Sequence, residues 1–146
     1  MKNNRPKKIS IIIYSGDFEK IHYALAMASA AAAIDIPVTL LFTMGATSAL
    51  LASPENAWQK LPGGGVAKIG ETGDDINNIF KKRRVASFEE LLQSCVSLKV
   101  KFMVCEMGLR AMELDIKTLR SDIPIQAGGL VTFFNDAFAN GQMVFI

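Results

Sequence analysis

Lys8-Ile9-Ser10-Ile11-Ile12-Ile13-Tyr14, followed directly by Ser15-Gly16-Asp17-Phe18-Glu19-Lys20, decides the fold class. The first run is β-branched and broken only by Ser10, the pattern of a short strand buried on both faces, as in a parallel sheet. Ser15, Gly16 and Asp17 then supply turn and N-cap chemistry. Residues 17–34 continue as a helix of strong helix formers, with Asp17 and Glu19 near its positive end. Pro37 stops that helix, and residues 38–43 repeat the buried-strand pattern. A strand, a helix and a second buried strand within the first 43 residues predict a parallel βαβ unit.

Working outward, Gly45 opens a short helix through Leu51, and the pattern then dissolves over residues 52–86. Pro54, Pro62, Gly63-Gly64-Gly65, Gly70 and Gly73 punctuate that stretch, and Lys81-Lys82-Arg83-Arg84 closes it. It reads as an irregular flap or insertion, with short helical pieces near 55–60 and 74–82. Order returns at Ser87-Phe88-Glu89-Glu90, a capping box, and Phe88, Leu91, Leu92, Cys95 and Leu98 mark one apolar helix face. Residues 100–105 form a third strand, 106–114 a turn or helix, 117–121 a short helical piece and 123–126 a fourth strand. Gly128-Gly129 introduces a helix over 130–139, and 142–146 end the chain as an edge strand. The prediction is a single α/β domain over 1–146 with a basic tail at 1–7: three α/β/α layers around a mainly parallel five-stranded sheet, of Rossmann or flavodoxin-like topology.

Composition agrees. Half of the 146 residues are hydrophobic and 21% are charged, which excludes a disordered chain. A chain of this size buries about two-thirds of its unfolded surface, so neither disulfides nor a metal is needed to hold it. Two cysteines without a CxxC pair exclude a disulfide scaffold and a zinc ribbon. No stretch has the roughly 20 apolar residues of a membrane span. The basic start followed by isoleucines ends at Tyr14-Ser15-Gly16-Asp17, too soon for a signal peptide, so the reading is cytoplasmic with reduced thiols. The net charge of +2 hides two basic clusters, Lys2, Arg5, Lys7 and Lys8, and Lys81 to Arg84, on an otherwise acidic body. They read as solvated tail and loop, and a nucleic-acid partner is the less favoured reading.

Open parallel sheets place ligands beyond the carboxyl ends of their strands. Those ends carry Ser15-Gly16-Asp17, Thr43-Met44-Gly45, Cys105-Glu106-Met107 and Ala127-Gly128-Gly129. Cys105 is the strong nucleophile among them, at a junction where helix amides favour a thiolate and the Glu106 carboxylate disfavours it. Position alone leaves two readings open, a reactive thiol and a buried cysteine acting as a small hydrophobe. Cys95 lies on the apolar stripe of its helix and reads as core. His22, the one histidine, sits on the first long helix and supplies no base for a cysteine-protease relay unless it reaches Cys105. The glycine run at 63–65 lacks the Gly-Lys-Ser/Thr ending of a phosphate loop, the first strand–helix turn lacks GxGxxG, and no metal-ligand pattern appears. No cofactor is expected.

With these residues in order, the chain resembles the DsrE/DsrF-like family of small sulfur-handling proteins. The resemblance rests on Ser15-Gly16-Asp17-Phe18-Glu19-Lys20 leading into an Ala-rich helix, on Val38-Thr39-Leu40-Leu41-Phe42-Thr43-Met44-Gly45, and on Ser87-Phe88-Glu89-Glu90-Leu91-Leu92 through Val104-Cys105-Glu106-Met107 with its Cys-x-Met string. It covers about residues 7–146. It implies a three-layer fold, a persulfide carried on an accessible Cys105 and passed to a partner thiol (a sulfurtransferase-like activity), and sulfur donor and acceptor proteins as partners. Ser15, Gly16, Thr43, Gly45, Met107 and Gly128 are then the residues lining the site. It also implies a homo-oligomer, a trimer or a multiple of one. The alternative is a non-catalytic oligomeric binding module in which Cys105 is structural. Residues 52–86 are expected to be more mobile than the rest and to border Cys105, either as a cover suited to a sulfur carrier or as an untidy crossover with no gating role, and no membrane is engaged.

Overall fold

Ile11 and Ile13 are fully buried on one side of their strand, while Ser10 and Ile12 point to the other. The computed structural model, which describes residues 4–146, builds a five-stranded parallel sheet around this strand. In chain order the elements are β1 (Ile9–Ile13), α1 (Phe18–Ala33), β2 (Val38–Phe42), 3-10 helices at Met44–Leu50 and Trp58–Lys60, α2 (Gly73–Lys82), α3 (Phe88–Ser97), β3 (Lys101–Cys105), α4 (Glu106–Ala111), a 3-10 turn at Ile116–Thr118, β4 (Ile125–Gly128), α5 (Leu130–Asp136) and β5 (Gln142–Phe145). The strand order is β4-β3-β2-β1-β5, and every pairing is parallel. The chain thus steps outward from β1 to β4 and reverses once, to lay β5 on the free side of β1.

The two faces of the sheet are unequal. On one, α1 buries Phe18, Ile21, Leu25 and Ala28 against Ile11, Ile13, Leu40 and Phe42, and α3 adds Phe88, Leu92 and Cys95. The alanines of α1 carry no long side chain, which lets the helix lie close on the strands. Full burial of each large side chain contributes roughly 1.5–3 kcal/mol. The other face carries a small separate cluster, Leu41, Met103, Cys105 and Phe133, and among the described residues Phe133 is its sole member from outside the sheet. Its helix α5 is pinned by Asp136: the Lys8 ammonium lies 3.0 Å from its carboxylate, Lys101 also pairs with it, and Thr39 Oγ1 donates to it at 2.6 Å. Lys8, expected in a solvated tail, is therefore a buried partner of this carboxylate; its burial follows from its place at the mouth of β1 beneath Phe138. Residues 1–3 of that expected tail lie outside the described residues. No helix among the described residues is long and apolar enough to cross a membrane.

Helix ends follow local chemistry. Asp17 Oδ1 accepts the amides of Glu19 and Lys20 at 2.9 and 3.1 Å, and Ser87 with Glu90 completes its reciprocal box at 3.2 and 3.1 Å. Four helices stop the same way, with a left-handed residue after the cap: Asp35, Arg84, Lys99 and Glu113, at φ of 64°, 59°, 65° and 54°. In each case the next amide returns to the last turn, Ile36 to Ala31, Val85 to Phe80, Val100 to Cys95 and Leu114 to Leu109, at 2.8–3.0 Å. These are Schellman motifs with the usual apolar residue after the turn, but none carries the usual glycine.

Residues 52–86 depart from expectation in position. The two helical pieces lie where the sequence suggested, but the segment is fastened to the α1–α3 face. Trp58 stacks on Phe88 and lies 5.7 Å from Phe18, and its indole donates to Glu89. Pro62 bridges Thr72, closing residues 62–72 into an Ω-shaped loop, and Phe18 N donates to Pro62 O. The amides of Gly64, Gly65 and Val66 converge on the Glu19 carboxylate at 2.8, 2.5 and 2.8 Å. Burial alone would raise the Glu19 pKa, but these amides outweigh it and hold it below the ordinary value. None of the residues packed around Cys105 comes from this segment. The expected cover over the cysteine is thus corrected, because Trp58 and Glu19 draw the segment to the opposite face.

Candidate functional site

Val104 is the last strand residue on the α1 side, so Cys105 points to the other face while serving as N-cap of α4. Its register partner is Gly128, placed there because β4 runs over Ile125–Gly128, two residues later than the sequence pattern suggested. The carboxyl ends of β1, β2 and β3 meet closely around this point. A methyl group on Gly45 would stand 3.1 Å from Gly16 N and Cα, and one on Gly108 would stand 2.7 Å from Met44 N and Thr43 Oγ1. A methyl group at Gly108 would force the main chain to shift, and one at Gly45 would press its neighbours closer than ordinary contact. Met44 turns the chain out of β2 with φ of 48°, a left-handed conformation that costs a non-glycine residue roughly 1–2 kcal/mol.

Cys105, Thr43, Gly45, Gly16, Ser15 and Gly128 therefore do gather at one end of the sheet. Their roles differ. Thr43 is buried, and Ser15 Oγ is engaged by the Asp17 amide at 3.1 Å, so it shapes the turn. Met107 is half exposed on the outer side of α4. The expected accessibility of Cys105 is corrected: the residue is 2% exposed, closed in by Leu41, Met103 and Phe133. Pattern reasoning missed this because Phe133 arrives from α5, after a glycine pair, and nothing local says where that helix lands. Asp136 offered a signal. A carboxylate in the last turn of a helix opposes the macrodipole and so invites a search for cations, which proved to be Lys8 and Lys101.

The other titratable candidates lie elsewhere. Cys95 is fully buried, its thiol donating to Leu25 O at 3.4 Å, and burial pushes its pKa up to about 12. His22 is buried between Phe18 and Phe80, with Nε2 2.8 Å from Ala86 O; burial lowers its pKa, and it belongs to the α1–α2 packing. A groove of about 700 Å³ runs beside α4, lined by Glu106, Leu109, Arg110, Glu113, Asp115 and Ala127 among others; it borders the neighbours of Cys105 but not the thiol. Among the described residues no three His, Cys, Asp or Glu side chains are grouped to hold a metal ion. What the site can do chemically is the chemistry of one thiol, sheltered at a strand–helix junction.

Comparison with known proteins follows the same residues. Residues 48–145 match the model of the DsrE/DsrF/DrsH-like family. The chain is 27% identical over 157 aligned positions to the uncharacterised protein YrkE of Bacillus subtilis, covering 96% of this chain and 97% of that one. Among solved structures it is similar to the ychN protein of E. coli, with a TM-score of 0.58 at 14% identity, covering 96% of this chain and 99% of that one. It is likewise similar to MTH1491 of Methanobacterium thermoautotrophicum, with a TM-score of 0.56 at 10% identity, covering 95% and 98%. At these identities the two structures speak for the fold.

Proposed function

The chain belongs to the DsrE/DsrF/DrsH-like family, which is associated with sulfur relay, and from that premise we propose that it is a cytoplasmic sulfur carrier holding sulfane sulfur on Cys105. The observation that carries the reading is the placement of Cys105 within the family-matched region, at the carboxyl edge of the parallel sheet where ligands of such sheets bind. In loading, the Cys105 thiolate attacks the outer sulfur of a donor persulfide. The donor S–S bond breaks, the donor thiolate leaves and takes up a proton, and Cys105–S–SH remains. In delivery an acceptor thiolate attacks the same outer sulfur and Cys105 leaves as thiolate, so no external oxidant or reductant is consumed. Ser15, Gly16, Thr43, Gly45, Met107 and Gly128 frame that end of the sheet.

Exposure to polysulfide, or to thiosulfate with a rhodanese, should add about 32 Da to Cys105, one sulfur, by peptide mass spectrometry. A Cys105→Ser variant should fold and take up none. The burial of Cys105 favours a second reading, a binding module in which this cysteine only packs. Loading of Cys105→Ser equal to wild type, or an adduct on Cys95, would leave that second reading standing.

The partner in either case includes a second copy, as a trimer or a multiple of one. Tyr14, Met143 and Phe145 are exposed together on the β1–β5 side of the thin face. Monomers seldom leave such a patch bare. Light scattering at micromolar concentration should give the mass of three 15.9 kDa chains or a multiple of three, and the monomer mass would defeat the inference.

A further inference from the structure

We propose that α5 is a lid over the Cys105 thiol, plugged by Phe133 and latched by Asp136, and that donor and acceptor thiols reach Cys105 only when it lifts. The purpose of such a lid rests on the persulfide reading above; its geometry does not.

Of the described side chains closing in on Cys105, Leu41 and Met103 belong to the sheet itself and Phe133 alone comes from outside it. Phe133 is also the one buried residue of the seven in α5, while Leu130, Val131 and Phe134 are exposed. The helix is therefore attached at two points, an aromatic ring over the thiol and a carboxylate at its far end. That carboxylate lies among Lys8 of the β1 approach, Thr39 of β2 and Lys101 of β3, so closing it fixes α5 diagonally across three strands. An element with so little buried apolar area belongs to the low-stability end of a fold, where opening is local.

Glycines flank it on both sides. A methyl group at Gly129, the N-cap of α5, would meet nothing within 4 Å, so packing does not demand a glycine there. After α5 the chain passes Gly141, whose amide turns back to Phe138 O, before entering β5. The stretch after α5 is held separately, since Lys7 N donates to Asn140 O at 3.2 Å and the Lys8 ammonium lies 5.4 Å from the Phe138 ring, so the opening is confined to α5 itself.

Chemistry supplies an independent motive. A persulfide extends the side chain by one sulfur, at an S–S distance of about 2.05 Å. Cys105 is 2% exposed within a close-packed cluster, and interiors packed at crystal density hold no spare volume of that size. Loading therefore requires a side chain of that cluster to move, and Phe133 is carried on its least buried element. Closing again would shield the outer sulfur from small thiols while it waits for its acceptor.

The test is iodoacetamide alkylation of the full chain at neutral pH, read at each cysteine by peptide mass spectrometry. In the folded wild type Cys105 should react at least about tenfold more slowly than in the same chain unfolded in urea, and Asp136→Asn should raise its rate about tenfold. Lys101→Met, which removes a half-exposed member of the latch and is safer for folding, should raise it by a smaller factor. Cys95, which only global unfolding exposes, should stay unmodified in all three and so separates lid opening from general destabilisation. The lid is overturned if wild-type Cys105 reacts as fast as in the unfolded chain, if both variants leave its rate unchanged, or if Cys95 keeps pace with it. Faster alkylation in the variants with no sulfur uptake by any of them would uphold the lid and sink the persulfide reading.

Discussion

Asp136→Ala should lower the stability of the folded chain by about 2–3 kcal/mol. Removing one member of a buried ion cluster costs roughly 3–5 kcal/mol when the remaining charge has no access to water. Here Lys8 is left in that position, its side chain 6% exposed, whereas Lys101 is half in solvent and recovers its hydration, which brings the figure down. Thr39 Oγ1 also loses its acceptor in a fully buried setting. In a chain of this length that should lower Tm by about 4–12 °C. The pH dependence has a definite sign. Burial alone would raise the Asp136 pKa, but hydrogen bonds from Lys101, Thr39 and Lys8, with the charge of Lys8, bring it down from 3.8 to about 2. A carboxylate depressed on folding stabilises the native state fully above pH 3.8, and the contribution fades as pH falls towards 2. Urea unfolding of wild type and variant at pH 7 and again near pH 2 should therefore show a wide gap that narrows in acid. An equal gap at both pH values would mean that the charge is not what holds α5.

Gly73→Ala should cost about 3 kcal/mol or more. The first residue of α2 lies directly against the backbone of the 3-10 turn before it, so a methyl group there would stand 2.0 Å from the carbonyl oxygen of Trp58 and 2.9 Å from Phe18 Cδ2. Ordinary contact needs well over a further ångström, and the obstacle is main chain, not a flexible side-chain end. Either α2 backs away from Trp58 or Trp58 leaves its stack on Phe88, and the amide of Gly73 then loses its 2.8 Å bond to Leu61 O. Helix propensity would favour alanine by about 1 kcal/mol and is too small to reverse the sign. A denaturation midpoint within about 0.5 kcal/mol of wild type would show that residues 52–86 yield freely, and that the fastening described for them is loose.

The legible parts of this protein are those whose causes are local. β1, α1 and β2 follow from an isoleucine run, an Asp cap and Pro37, all within 30 residues of one another, and the Ser87–Glu90 box marks α3 to the residue. Cys105 could be placed at the edge of the sheet because a strand pattern ends on it. The strand order could not be read, since nothing near Gln142 says that β5 returns to β1, 133 positions away in the Ile9–Gln142 pair. The cover of Cys105 was opaque for the same reason. Phe133, Met103 and Leu41 meet only after two separate strands and α5 have been assembled, and Asp136 finds Lys8 from the far end of the chain. Residues 52–86 misled differently: glycines and prolines were read as freedom, whereas Glu19 and Trp58, distant in sequence or lost among polar neighbours, tie the segment down.

The four glycine-free helix stops have a bearing on how far this sequence can be altered. Each left-handed residue at 35, 84, 99 and 113 sits in a conformation that disfavours a side chain by roughly 1–2 kcal/mol, somewhat less for Asp35. Against that, glycine loses about 0.5–1 kcal/mol more entropy on folding, so each replacement nets several tenths to about 1 kcal/mol. Arg84 and Glu113 act through separate turns, so their effects should add, whereas Asp35 and Lys99 line one depression and form the pair that can couple. The protein thus carries an untapped margin of about 2–3 kcal/mol, a sizeable share of the 5–15 kcal/mol typical of whole domains. A lineage under thermal selection could draw on it one codon at a time, and an engineer could use it first to offset a disruptive change at the cysteine.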